Sequence, residues 1–201
     1  MEPLKILRRA AMRFNPRGDL TALGLMCIAL ASGATGTAHA QADEHVVKAA
    51  LLSKFGLYVE WPSSTFASPA SPVNLCVAGD DPFGENLDRV VAGALIEGRN
   101  VVVRRLKTVR RDSGCHILYV GGSDAQRGAQ IMDAVRGSSV LTVSDSGSRP
   151  NTGIIDFVVN DNRVRFDIDD AAAAENGLVI SSKLMSLAIN VKRRAPSKEG
   201  R

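Results

Sequence analysis

From Glu44 to Trp61 apolar residues return at helical spacing, and Val47, Ala50, Leu51, Phe55, Tyr58 and Val59 share one broad face. The pattern predicts a helix over that span, ended by Pro62 because the residue before a proline avoids the α region. Residues 63–72, small and proline-rich, read as a loop. A short apolar strand over 73–79 follows and contains Cys76. Next come an N-cap at Asp81, Pro82 in the first helical position and a helix to about Ala92. Strands are expected over 100–106 and 115–121, then a helix between its cap at Ser123 and Gly137, then a strand over 139–145.

Beyond the loop 146–153 two strands join at Asn160-Asp161-Asn162. In the second of them Val164, Phe166 and Ile168 face one way and Arg163, Arg165, Asp167 and Asp169 the other. A last helix over Leu178–Lys192 is expected to present Leu184, Leu187, Ala188 and Val191 to the core, with Lys192, Arg193 and Arg194 at the negative end of its dipole. Alternation of strands and helices in this order implies a single-domain α/β fold: a mixed β-sheet flanked by helices on both faces, an α/β/α sandwich. There are no internal repeats, and residues 195–201 read as a disordered tail.

The first 40 residues change the picture. Lys5, Arg8, Arg9, Arg13 and Arg17 precede an apolar stretch from Leu20 to about Ala31, and Ala38-His39-Ala40 forms a processing triplet before Gln41. The apolar run is short for a permanent membrane anchor, and Cys27 follows Met26 rather than the small residue of a lipoprotein signal. The expectation is a cleaved signal peptide over 1–40, export to the periplasm, and a domain over 41–194.

Without that segment Lys+Arg falls from 25 to 20 and Asp+Glu from 21 to 19, leaving a formal charge near +1 (20 minus 19) and no case for nucleic acid. Cys76 and Cys115 are the cysteines left, and in an oxidising compartment two cysteines most simply pair. A metal pair is the rival reading, but there is no C-x-x-C and His116 is the one histidine beside them. A disulfide closing a loop of about 40 residues stabilises by roughly 4 kcal/mol on the chain-entropy estimate.

Candidate chemistry is sparse. Asp81, Phe83 and Gly84 follow a strand and open a helix, so they read either as helix capping or as a ligand turn offering backbone N–H groups to a nucleotide. Neither the G-x-G-x-x-G spacing nor a Walker lysine is present. Asp80 and Asp81 lack further oxygen donors for a hard cation. Ser182 adjoins Lys183 without S-x-x-K spacing, and His45 and His116 have no evident nucleophile partner. No catalytic residue, metal or cofactor is nominated. Tyr58 and Trp61, three apart on the expected helix, leave two readings open: core packing, or a partner surface rich in aromatic rings.

The segments AALLSKFGLYVEWP, LCVAGDDPFG, CHILYVG, VLTVSD, VRFDID and GLVISSKLMSLA, in that order from about Val46 to Val191, resemble the YfiR family of periplasmic proteins. The resemblance implies a disulfide between the positions of Cys76 and Cys115. It also implies a regulator that binds the periplasmic region of an inner-membrane diguanylate cyclase (YfiN-like) and holds it inactive, lowering cyclic di-GMP and biofilm formation. An outer-membrane lipoprotein (YfiB-like) sequesters such a repressor. A homodimer is kept among the assemblies to expect. Well-known members carry a second disulfide in the region matching 144–157, where this chain has no cysteine, so redox switching through that pair is not carried over. The alternative class is a periplasmic small-ligand carrier or sensor using Asp81 to Gly84. The partner is expected to dock on the loop after Trp61 and on the loop around Arg149, because binding residues concentrate on such loops and a guanidinium makes several directed hydrogen bonds.

Overall fold

Helix α1 (Thr35–Phe55) is followed by a 3-10 turn at Gly56–Tyr58, the strand β1 (Val59–Glu60) and a second 3-10 turn at Ser63–Thr65. The remaining elements are β2 (Val73–Gly79), α2 (Glu85–Val91), β3 (Leu95–Ile96), β4 (Arg99–Leu106), β5 (Ile117–Gly121), α3 (Ala125–Ala134), β6 (Leu141–Ser144), β7 (Ile155–Asn160), β8 (Arg163–Asp169), α4 (Asp170–Glu175), β9 (Val179–Ile180), α5 (Ser182–Met185) and β10 (Val191–Lys192). This computed structural model describes residues 35–145 and 153–194. By its contacts the chain divides into Met1–Ala40 and Gln41–Arg201, and the sheet belongs to the second unit. The expected processing triplet, Ala38 to Ala40, falls within the range of α1.

Eight strands form one mixed sheet in the order β10-β8-β7-β6-β5-β2-β4-β3, and β1 pairs with β9 in a separate antiparallel ribbon. From β4 to β7 the neighbours are parallel; β8 runs antiparallel to β7, and β3 to β4. Parallel strands are covered on both faces. Accordingly β2 sends Val73, Leu75 and Val77 into the larger core with Ala49, Leu52, Phe55, Leu87, Phe157 and Leu184. Its alternate residues Cys76 and Ala78 enter a smaller core with Cys115, Leu118, Val120, Val135 and Val140. Helices α1, α2, α4 and α5 pack on the first face and α3 on the second, as the α/β/α pattern requires.

Three expectations are corrected. The first helix stops at Phe55 rather than at Trp61. Glycine is a poor helix former, and a Cβ at Gly56 would come within 2.5 Å of the Ile96 side chain. Val59 is then drawn into register with Ile180, so Tyr58 and Trp61 share no helix face. The helix over Leu178–Lys192 is absent. Val179-Ile180 and Val191-Lys192 are strands, with the short α5 between them, capped by Ser181 accepting from the Leu184 N–H. Both strands carry β-branched residues, which favour pleated pairing when a partner edge is offered. The helix caps also differ: Gly84 rather than Asp81 precedes α2, and Asp124 rather than Ser123 caps α3 by accepting from the Arg127 N–H. Helix α4, unforeseen, has an N-cap at Asp169 and a run of alanines, the best helix former.

Candidate functional site

Tyr58 and Trp61 sit half-buried against the larger core, on the short segment that leads from α1 into the proline-rich loop. The Lys183 ammonium lies 5.8 Å from the Tyr58 ring centroid. The Trp61 indole meets Phe66 edge to face at 6.3 Å. Phe66, on the loop itself, is stacked on the His116 imidazole at 4.5 Å and carries the Arg99 guanidinium over its ring at 4.0 Å. Arg99 Nη1 also donates to the carbonyls of Ser68, Pro69 and Ser71 at 2.7, 2.8 and 3.0 Å. The loop is thus held by one arginine from β4 and one histidine beside β5.

His116 is itself tied into the sheet. Its Nδ1 accepts from the Asn74 N–H at 2.9 Å, its own N–H donates to the Asn74 carbonyl, and its carbonyl accepts from the Leu141 N–H. Burial holds its pKa below the usual histidine value, the Arg99 charge adds to that, and a hydrogen bond to the Thr65 main chain opposes it. Among the described residues, Trp61 Nε1 and Thr65 Oγ1 are the buried side-chain polar atoms that make no hydrogen bond within the protein. Both belong to this same loop segment.

Asp81, Phe83 and Gly84 lie at the opposite edge, at the carboxyl ends of the parallel strands. One Asp81 oxygen accepts from the Phe83 and Gly84 N–H groups, and the other from Arg105 Nε at 2.7 Å. Arg105 also donates to the Gly84 carbonyl and to both oxygens of Asp88, and its hydrogen bonds hold the Asp88 carboxyl below its usual range. Phe83 is 2% exposed and packs edge to face on Tyr119 at 4.6 Å. Burial pushes the Tyr119 hydroxyl pKa up, helped by the charges of Asp145, Asp81, Asp80 and Glu44. Between β2 and β5, whose outgoing connections lead to opposite sides of the sheet, the place where ligands of open α/β sheets gather, an open cavity of about 180 Å³ is lined by Gly79, Asp80, Gly121, Asp124, Arg127 and Ile131. Asp81, Phe83 and Gly84 do not line it. A larger cavity of about 350 Å³ is lined by Ala129, Met132, Thr142, Ile154 and Ala172.

Lys48 escaped sequence reasoning. Its side chain is 2% exposed and its ammonium pairs with Glu44, one turn earlier on α1, and with Asp145 after β6. Nothing in the local pattern separates a buried lysine from a solvated one, because the decisive partner is 97 residues away. Cys76 and Cys115 form a disulfide, with Cα atoms 5.7 Å apart. Arg149 lies outside the described residues.

No group of three or more His, Cys, Asp or Glu side chains that could hold a metal ion occurs among the described residues. No helix among them is long and apolar enough to cross a membrane. A family model described as YfiR/HmsC-like matches residues 45–189, which takes in the ribbon, the sheet up to β8, both cores and the Phe66 loop.

Proposed function

Because this chain belongs to the YfiR/HmsC-like family, we propose that it is a non-enzymatic periplasmic regulator of cyclic di-GMP signalling. Its partner is the periplasmic region of an inner-membrane diguanylate cyclase (YfiN-like), which it holds inactive. A lipoprotein of the outer membrane (YfiB-like) relieves the repression by competing for it. The observation that carries the reading is the match over residues 45–189. It is supported by side chains committed to packing and structural ion pairs: the Asp81 carboxylate is engaged by two backbone N–H groups and Arg105, and Phe83 is buried.

The docking surface we assign is the half-exposed edge of Tyr58 and Trp61 with the loop 62–72, together with the loop that carries Arg149. An aromatic edge flanked by a proline-rich loop offers apolar area with little side-chain entropy to lose. The leading 40 residues act as the export signal.

Deleting the gene and measuring cellular cyclic di-GMP tests the regulatory reading. A rise, returned to baseline by the intact gene, is expected. An unchanged level across several growth conditions would overturn it.

A further inference from the structure

Phe66 is the one side chain through which the loop 62–72 meets both groups that hold it. His116 touches that ring from the sheet, and Arg99 touches it while gripping three carbonyls of the loop. The imidazole can keep this role in one protonation state only. Its Nδ1 accepts from the Asn74 N–H, which a ring protonated at Nδ1 cannot do. A proton added at Nδ1 turns an acceptor into a donor aimed at another donor.

We propose that His116 is the trigger of an acid-sensitive latch: its protonation releases Phe66 and the loop 62–72 from the sheet, exposing Trp61 and changing the docking surface. This rests on the reading of that loop as the docking surface only for its biological consequence; the motion is a property of the isolated chain.

The groups around the imidazole all oppose the added charge or fail to offset it. From β4 comes the Arg99 cation, from β2 the Asn74 N–H, from the loop the apolar Phe66 ring and the Thr65 main chain, and from β6 the Leu141 N–H bound to the His116 carbonyl. Of these, the Thr65 main chain alone favours the proton, and burial outweighs it. Arg99 would let go with it, its three carbonyl bonds exchanged for water. Trp61 Nε1 and Thr65 Oγ1 are buried without a hydrogen bond within the protein, and release would expose both to solvent. The disulfide anchors Cys115 next to the trigger, so the sheet end stays in place while the loop moves.

The chain holds a single tryptophan, Trp61, beside Phe66, so the latch has its own reporter. Tryptophan emission and acrylamide quenching of the purified protein are followed from pH 7.5 to 4.5, with far-UV circular dichroism alongside. The expected result is a reversible red shift and increased quenching with a one-proton midpoint below 6.5, at constant secondary structure. His116→Asn, whose Oδ1 stands where Nδ1 accepts, should abolish it. Should that variant fail to fold, nuclear magnetic resonance titration of the wild-type imidazoles reads the same event: the His116 resonance and the Trp61 indole resonance should move with one midpoint. A Trp61 signal that stays flat while His116 titrates, or a shift that persists unchanged in His116→Asn, overturns the latch. Binding of the cyclase's periplasmic region at pH 7.5 is measured separately; its absence would count against the docking surface and leave the latch standing.

Discussion

Phe66 shows how one half-buried ring joins a loop to a sheet: it stacks on the histidine and lies under the arginine that also grips three carbonyls of the loop. Its dependence on a neutral imidazole makes stability vary with pH in a defined direction. The folded His116 pKa lies below the unfolded value of 6.5. Its contribution is therefore complete above pH 6.5 and is lost as pH falls through the folded value. Asp170 works in a separate, more acid window. Arg194 forks onto it with two hydrogen bonds of 2.8 Å and holds its carboxyl below the ordinary 3.8. That contribution is complete above pH 3.8 and is lost as pH drops through the folded value. Urea midpoints measured between pH 8 and 3 should thus fall in two steps, one just below 6.5 and one below 3.8. The first should vanish in His116→Asn and the second in Arg194→Gln. A single step near pH 4 would contradict the assignment to His116. Asp88 adds little to either step, because its pair with Arg105 is exposed to solvent and screened.

Among elements, the two faces of the sheet are unequal. The first is buried under α1, α2, α4 and α5, whereas α3 contributes no buried residue and covers the second only through partly buried Ile131 and Met132. The disulfide lies in this thinner core. It ties β2 to the start of β5, 39 residues apart, where apolar burial does least. Replacing both cysteines by alanine should lower stability by roughly 4 kcal/mol on the chain-entropy estimate and the thermal midpoint by about 10 °C, while far-UV circular dichroism stays native. Denaturation melts of the oxidised wild type and the double variant check this. A loss under about 1 kcal/mol would mean that the unfolded chain is already compact here. The pairing was legible from cysteine count and inferred compartment, because two thiols allow one connectivity. The final segment was not legible. Leu184 and Val191 suit a helical face as well as they suit α5 and β10, and the choice fell to the edge of β8.

At the scale of the whole molecule, the sheet ends in two-residue strands, β3 on one side and β10 on the other, which pair with Arg99 and Asn100 of β4 and with Ile168 and Asp169 of β8. The docking surface proposed for the partner lies instead on the loops. Arg149→Glu should weaken binding of the cyclase's periplasmic region by tenfold or more, about 1.4 kcal/mol, with the thermal midpoint nearly unchanged. Calorimetric titration against that region reads the affinity. Wild-type affinity in the variant would return attention to Tyr58 and Trp61.

The amino-acid sequence by itself determined the longer strands, β2 and β4 to β8, and the turn that joins β7 to β8. The apolar run at 73–79 is β2, the alternation at 163–169 is β8, and Asp161-Asn162, both at positive φ, close the hairpin where turn residues stood. These are local properties: side-chain period and backbone preference act within a few residues. Tertiary structure alone decided the order of the strands, the conversion of Val59 and Val191 from helix to strand, the burial of Lys48 between Glu44 and Asp145, and the meeting of Phe66 with His116 and Arg99. Each of these depends on groups tens of residues apart being brought together by sheet register. Local patterning cannot distinguish among such arrangements, since the same apolar and polar residues satisfy several of them equally well until a partner is in place.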